Sequence, residues 1–327
     1  MDPSPQQRTD DGGAVVVGVD GSPAARAALG AAVAAAADRG AGLVVLSSVA
    51  DELYWLGGAD GAAPLSEEVE AATRRLADGL VAAVRGEVRG AAAVPVTVEV
   101  TAEPPAAGLV ARSDGAQLVV VGNRGRGAVR TALLGSVALH TVTHARCPVL
   151  VVHPRAGGVT GPPRVVAGSD GSAGSRAALA AAVEEAARTG AGVEVVAATG
   201  TGDTWVDLSA VVPEARRQLR EDLRARVEEA VDTVLRDRAR DARVPRVDVD
   251  VVEGAAADVL LDRAAGAGLL VVATRGRGTA RGLLLGSVAL QCALHAPCPV
   301  LVVRAGVPVA GPRTHAQHAP GQVPARV

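Results

Sequence analysis

Two stretches decide the fold because they are one stretch written twice: AVVVGVDGSPAARAAL from Ala14, and RVVAGSDGSAGSRAAL from Arg164. Each begins as a short Val-rich run, turns at Asp-Gly-Ser and continues into an Ala-rich segment. In the first copy Ser22 is placed to cap a helix, Pro23 stands where a helix tolerates proline, and Gly40 follows the last turn. The second copy keeps Ser172 and Gly190 at the same separation. A strand feeding directly into a helix is the unit from which parallel sheets are built.

The repetition extends along the chain. VVVGNRGRGAVRTALLGSVAL from Val119 recurs as LVVATRGRGTARGLLLGSVAL from Leu270, and HARCPVLVV from His144 recurs as HAPCPVLVV from His295. The offset is 150 at Asp20 and Asp170 and 151 at Gly125 and Gly276, so the unit is a duplicated domain rather than a solenoid repeat. The halves are placed at 14–153 and 164–304, after a flexible N-terminus at 1–13. The segment 154–163, containing the Gly/Pro-rich AGGVTGPP, reads as a linker, and 305–327, without periodicity, as a disordered tail.

Within the first half the apolar runs are Ala14–Val19, Leu43–Val49, Val94–Val100, Gln117–Val121 and Pro148–Val152. They are nearly continuous rather than alternating, as suits parallel strands covered on both faces. Further helices are expected over Ser66–Val88 and, longer and heavily charged, over Pro213–Arg240. The latter reads as a solvated face laced with i,i+4 ion pairs. The expected fold is α/β: two tandem doubly wound five-stranded parallel sheets, with right-handed crossovers and strand order 3-2-1-4-5 in each.

Composition narrows the function. The 327 residues contain 49% apolar residues, no Phe and, among 33 basic residues, no Lys. The cores must therefore be aliphatic, and P-loop chemistry through a lysine is excluded. A net charge of −2 gives no long-range attraction to nucleic acid or acidic membranes. No signal-peptide pattern opens the chain, and no apolar run reaches the roughly 20 residues that span a bilayer. Cys147, Cys292 and Cys298 form no disulfide framework and read as small buried hydrophobes in a reduced, cytoplasmic setting.

The chemistry concentrates after the fourth strand. Gly122-Asn123-Arg124-Gly125 is followed after nine residues by Gly135-Ser136, which opens a helix at Val137. Glycines let backbone N–H groups turn inward, a helix start offers unpaired N–H groups and partial positive charge, and Ser136 adds a hydroxyl. Arg126 and Arg130 lie within the loop to offset phosphate charge. Glycine-rich turns also occur purely for helix packing, but the same spacing returns in Gly276, Gly286 and Ser287, with Arg277 and Arg281 retained. At the end of the first strand, Asp20 is placed to bond ribose hydroxyls or a base amine. With strands one and four adjacent, it faces the loop across the topological switch point.

The G-x-x-G-x9-G-[ST] spacing, the strand-ending Asp20 and the closing PVLVV together resemble the universal stress protein family in its nucleotide-binding branch. The resemblance covers both halves and implies an adenine-nucleotide site. The ligand is often ATP, with AMP and ADP left open, Mg²⁺ accompanies it, and the role is regulatory rather than robustly catalytic; slow hydrolysis stays open. It also implies that the halves pair through their last strands within the chain; a further homodimer is left open. The site carried over comprises Gly18, Asp20, Ser48, Val121, Gly122, Asn123, Arg124, Gly125, Gly135, Ser136 and Val137. In the second half it comprises Ser169, Asp170, Ala198, Ala273, Arg275, Gly276, Gly286, Ser287 and Val288. Ser48, with Val49, and Ala198 correspond to the adenine-contacting position.

One departure stands out: Gly122 is matched by Ala273. If the loop needs positive φ there, alanine is strained and its methyl approaches the ribose, so the second site is expected to bind more weakly. His140 and His144 have the spacing of a zinc pair, yet Gln291 replaces the first in the copy, so a helix-terminal role is preferred. Trp55 and Trp205 read as a cover over the crevice or a contact between halves.

Overall fold

The computed structural model describes residues 13–49, 66–125, 134–154, 163–200, 213–238, 243–276 and 285–306. Trp55, Trp205, Arg126, Arg130, Arg277, Arg281, most of the linker and nearly all of both terminal segments lie outside the described residues.

The amino half contains β1 (Val15–Gly18), α1 (Pro23–Arg39), β2 (Leu43–Ser48), α2 (Glu67–Arg85), β3 (Val96–Thr101), α3 (Pro105–Arg112), β4 (Leu118–Gly122), α4 (Ser136–His144) and β5 (Val149–Val152). The carboxyl half repeats it as β6 (Arg164–Gly168), α5 (Ala173–Thr189), β7 (Gly192–Thr199), α6 (Pro213–Arg238), β8 (Val247–Glu253), α7 (Ala256–Ala264), β9 (Leu269–Ala273), α8 (Ser287–His295) and β10 (Val300–Val303). The helix boundaries follow their caps. Ser22 and Ser172 accept hydrogen bonds from the N–H groups of Ala25 and Ser175, both at 3.1 Å, and Gly40 and Gly190 end α1 and α5 at φ 59° and 71°. The helix after the loop starts at Ser136, one residue earlier than Val137, because Gly135 is its N-cap.

The strands form a single ten-stranded sheet in the order β3-β2-β1-β4-β5-β10-β9-β6-β7-β8. Each half thus has the expected 3-2-1-4-5 order. The halves meet where β5 and β10 run antiparallel, with Leu150 opposite Leu301; the other strand pairs are parallel.

Helices cover both faces. Val15 and Val17 face a core with α1, α2, α5 and α6, while Val16, Val119 and Val121 face a second core with α3, α4, α7 and α8. Consecutive residues of one strand are buried on opposite faces, which is why the strands read as unbroken apolar strings. Each core crosses the seam, since Leu150 and Leu301 share one and Val151 and Val300 the other.

Beside the seam, Arg39 of α1 is paired with Glu185 of α5, which also accepts from Arg188 at 3.0 Å. The exposed side of α6 carries the expected pairs, among them Arg224–Glu228 at 3.6 Å and Arg217–Glu221 at 4.0 Å. Beyond β5, His153 places Nε2 3.0 Å from the Ala293 carbonyl of α8, and burial lowers its pKa. Beyond β10, Arg304 donates to the Thr143 carbonyl of α4.

Candidate functional site: the crevice between β1 and β4

The turn after β1 is built around a carboxylate. Gly21 takes φ 79°, a left-handed turn that brings the Ser22 N–H to Asp20 Oδ1 at 2.9 Å. Ser22 in turn caps α1, so aspartate and cap form one rigid corner. The second half repeats the corner: Gly171 has φ 74° and the Ser172 N–H donates to Asp170 Oδ1, again at 2.9 Å.

Asp20 does face the loop that follows β4. A Cβ placed on Gly125 would lie 2.7 Å from Asp20 Oδ2, and one on Gly276 would lie 2.7 Å from Asp170 Oδ2. The carboxylate thus rests against the loop backbone, in space that a side chain would fill. The loop is closed at its base, because the Gly135 N–H donates to the Asn123 carbonyl at 2.9 Å and Gly286 to that of Thr274 at 2.7 Å. The Asn123 N–H is itself bonded to the Val152 carbonyl at 2.9 Å, and that of Thr274 to Val303 at 2.8 Å, which fixes the loop to the neighbouring strand.

From that closed base the helices α4 and α8 begin at Gly135 and Gly286, neither with a side-chain cap. Ser136 and Ser287 are exposed at the first helical position, with Val137 and Val288 next, partly buried against the core. The first-turn N–H groups are therefore left for an acceptor from outside the helix. Asn123 is 8% exposed and its Oδ1 has no hydrogen-bond partner among the described residues; the same is true of Arg124 Nε. Buried polar groups are ordinarily paired, and neither atom finds its partner within the described part of the loop.

The other residues expected at the site have varied surroundings. Val121 is buried within β4. Gly18 ends β1, and its missing side chain makes room for Leu109 of α3, whose Cδ1 would stand 3.0 Å from a Cβ. Ser169 turns inward, its hydroxyl 3.3 Å from that of Ser175. Ser48 closes β2 and donates its hydroxyl to the Glu103 carbonyl at 2.6 Å, while the Val49 N–H is taken by Thr101. What that position can offer a base is its carbonyl. Ala198 stands near the end of β7, and Arg275 follows β9 directly beside Thr274.

The expectation about Gly122 and Ala273 is corrected. Neither has positive φ. Glycine is needed at 122 because a Cβ there would sit 2.9 Å from the carbonyl carbon of Ala24 and 3.0 Å from its Cβ. In the second half the methyl has changed sides: Ala273 carries it, and Gly174 stands where Ala24 does. A Cβ on Gly174 would be 3.6 Å from that of Ala273 and 2.7 Å from the Arg275 carbonyl oxygen. The Ala273 methyl points at the first turn of α5, as the space beside Gly122 points at that of α1.

A family model described as the universal stress protein family matches residues 13–153 and again residues 163–304. The chain belongs to the universal stress protein family. A universal stress protein of Mycolicibacterium smegmatis is 35% identical over 297 residues, covering 89% of this chain and 96% of that one. One from Mycobacterium tuberculosis is 36% identical over 252 residues, 74% of each chain. The crystal structure of a universal stress protein from Archaeoglobus fulgidus covers 90% of this chain and all of its own, with a TM-score of 0.60 at 18% identity, a likeness of fold.

Two features of this tandem universal stress protein were not singled out in its sequence. Gly21 and Gly171 take the turn that aims the aspartate, and the Asp-Gly pair was the available signal. Ala24 and Gly174 govern what stands at 122 and 273, and no local pattern reveals that. His144 lies in the last turn of α4, its Nδ1 3.0 Å from the His140 carbonyl and its ring stacked on that of His140 at 4.2 Å. Cys147, Cys292 and Cys298 are buried and stand outside any disulfide. Among the described residues, no helix is long and apolar enough to cross a membrane.

Proposed function

We propose that each half of this universal stress protein binds an adenine nucleotide, ATP in the first place, and that occupancy regulates the protein's contacts or stability in the cytoplasm. The observation that carries this reading is duplicated. In both halves a carboxylate held by its own turn abuts a loop glycine, and that loop runs into a helix start without a side-chain cap. Phosphates suit the uncapped N–H groups with Ser136 and Ser287, and Asp20 and Asp170 suit a ribose hydroxyl or base amine. Asn123 Oδ1 and Arg124 Nε, which have no partner among the described residues, would be paired by a ligand and its water. Mg²⁺ would arrive with the triphosphate and offset its charge.

A regulatory role suits the residues better than an efficient enzyme. The chain has no lysine. The histidines shared by both halves, His144 and His295, end α4 and α8, at the opposite ends from the loops. Slow hydrolysis is compatible with this arrangement. The test is equilibrium binding of labelled ATP, with turnover measured in parallel and thermal unfolding as a second readout. A ligand at 100 times its dissociation constant stabilises the native state by about 2.7 kcal/mol per site. Binding without comparable turnover is the expected result. No binding and no thermal shift at millimolar ATP and Mg²⁺, with nothing co-purifying, would remove the reading and leave the loops a packing role.

A further inference from the structure

Among the described residues the sheet ends at β3 on one side and β8 on the other. An edge strand presents a row of unpaired backbone groups that can template a strand from another chain. Which groups face outward follows from the pairing. In β3 the carbonyls of Pro95 and Thr101 accept from β2 and the residue after it, so the residues between them in alternation, Val96, Val98 and Val100, face away. In β8 the Arg246 carbonyl accepts from Val193, so Val247, Val249 and Val251 face away.

Those outward carbonyls are met by arginines. Arg74 of α2 donates through Nη1 to the Val98 carbonyl. Arg224 of α6 donates to that of Val249 at 3.2 Å, and Arg220, one turn earlier, to that of Val251 at 3.2 Å. Arg74 and Arg224 are equivalent in the duplication, as are Val98 and Val249, so the same contact exists at both edges. It is kept although α2 and α6 have otherwise diverged in length and charge. Arg74 is held by Glu70 at 2.9 Å, and Glu228 lies 3.6 Å from Arg224. The bland account, that these arginines merely decorate a solvated helix, explains the carboxylate pairs. It does not explain why three guanidinium groups reach past them to outward carbonyls on both edges.

We propose that Arg74, Arg220 and Arg224 close the two edges of the sheet against strand addition, the excluded partner being the edge strand of a second copy of this chain. A guanidinium lying on the edge occupies the carbonyls that an added strand would need and brings a charge that such a strand would have to desolvate. The groove of about 400 Å³ beside β8, lined by Arg216, Arg217, Arg220, Glu221, Arg224 and Val251, is where that strand would have to enter.

The test compares the full chain with Arg220→Ala/Arg224→Ala and with the triple variant that adds Arg74→Ala. Arg236→Ala is the control, because Arg236 bonds the Asp232 carbonyl and the Thr233 hydroxyl on its own helix and stands outside the groove. Sedimentation or light scattering over a hundredfold concentration range should show the weight-average mass of the triple variant rising to at least twice that of the wild type. The double variant should show a smaller rise and the control none. Hydrogen exchange should show new protection in 247–251 on association. Where an alanine variant is unfolded by circular dichroism, Arg224→Met keeps the aliphatic stem and removes the donors. Folded variants whose mass and edge exchange match the wild type would overturn the proposal, as would an equal rise in Arg236→Ala.

Discussion

Replacing Gly122 by alanine adds one methyl at the end of β4, and the structure says where it goes: 2.9 Å from the Ala24 carbonyl carbon and 3.0 Å from the Ala24 Cβ and carbonyl oxygen. Those are backbone and near-backbone atoms of α1, which cannot rotate aside. Overpacking of this kind costs about 1–3 kcal/mol, and the expected destabilisation of Gly122→Ala lies in that range. Ala24→Gly alone should cost less than about 1 kcal/mol, the usual helix penalty for glycine, since it stands in the first turn. The double variant reproduces the arrangement of Gly174 and Ala273, so it should recover most of what Gly122→Ala loses. A coupling energy of about 1–2 kcal/mol is expected between two residues in direct contact. Urea unfolding followed by circular dichroism, with the midpoint shifting at constant slope, measures all four corners of the cycle. The same reasoning says that Ala273→Gly leaves nucleotide affinity in the carboxyl half unchanged within about twofold, or ~0.4 kcal/mol. A harmless Gly122→Ala, or a double variant no better than the single, would refute the packing argument. A tenfold gain in affinity on Ala273→Gly would restore the idea that this position touches the ligand.

Gly125→Val and Gly276→Val should each abolish nucleotide binding in their own half while circular dichroism stays native, because the new Cβ falls 2.7 Å from Asp20 or Asp170 Oδ2 and displaces the carboxylate; retained binding in either, by calorimetry, would mean the site lies elsewhere. Burial pushes the thiols of Cys147 and Cys292 up to about 12 from an ordinary 9.0. Their folded pKa values are raised, so the stability they contribute is intact below pH 9 and is lost as pH rises from there towards about 12. Native protein at pH 8 should therefore react with a disulfide reagent only at the rate of unfolding, and Cys147→Ala should flatten the alkaline loss of stability; fast native labelling would contradict the burial.

Much of the fold was legible because the signals were local and given twice. Val-rich runs buried on both faces, Ser22 and Ser172 as caps, and Gly40 and Gly190 as stops each depend on neighbours a few residues away. The facing of Asp20 and Gly125 was legible one level up, since it follows from strand order alone. What could not be read depends on contacts between distant residues. Gly18 is glycine because of Leu109, 91 positions on, and Gly122 because of Ala24, 98 positions before it. Nor does spacing reveal that Arg224 serves an edge carbonyl as well as Glu228. The pair Arg39–Glu185 departs from the repeat altogether: the equivalent positions are Thr189 and Ala35, so nothing in the duplication announces it.

The duplication also separates what the site requires from what merely supports it. Between the copies Val19 became Ser169, Gly122 became Ala273, Asn123 became Thr274 and Ala24 became Gly174. Through these changes the aspartate stays 2.9 Å from the serine N–H and its other oxygen stays 2.7 Å from the place a Cβ would occupy on the loop glycine. The uncapped helix start stays as well. Behind the crevice one pair of changes offset each other, a methyl lost at Gly174 and gained at Ala273, while the carboxylate, the glycine and the helix start kept their geometry. Packing alone would have tolerated a side chain at 125 or 276 if the aspartate had moved away. That it remains pressed against bare backbone in both halves is what a shared requirement for an external partner would preserve.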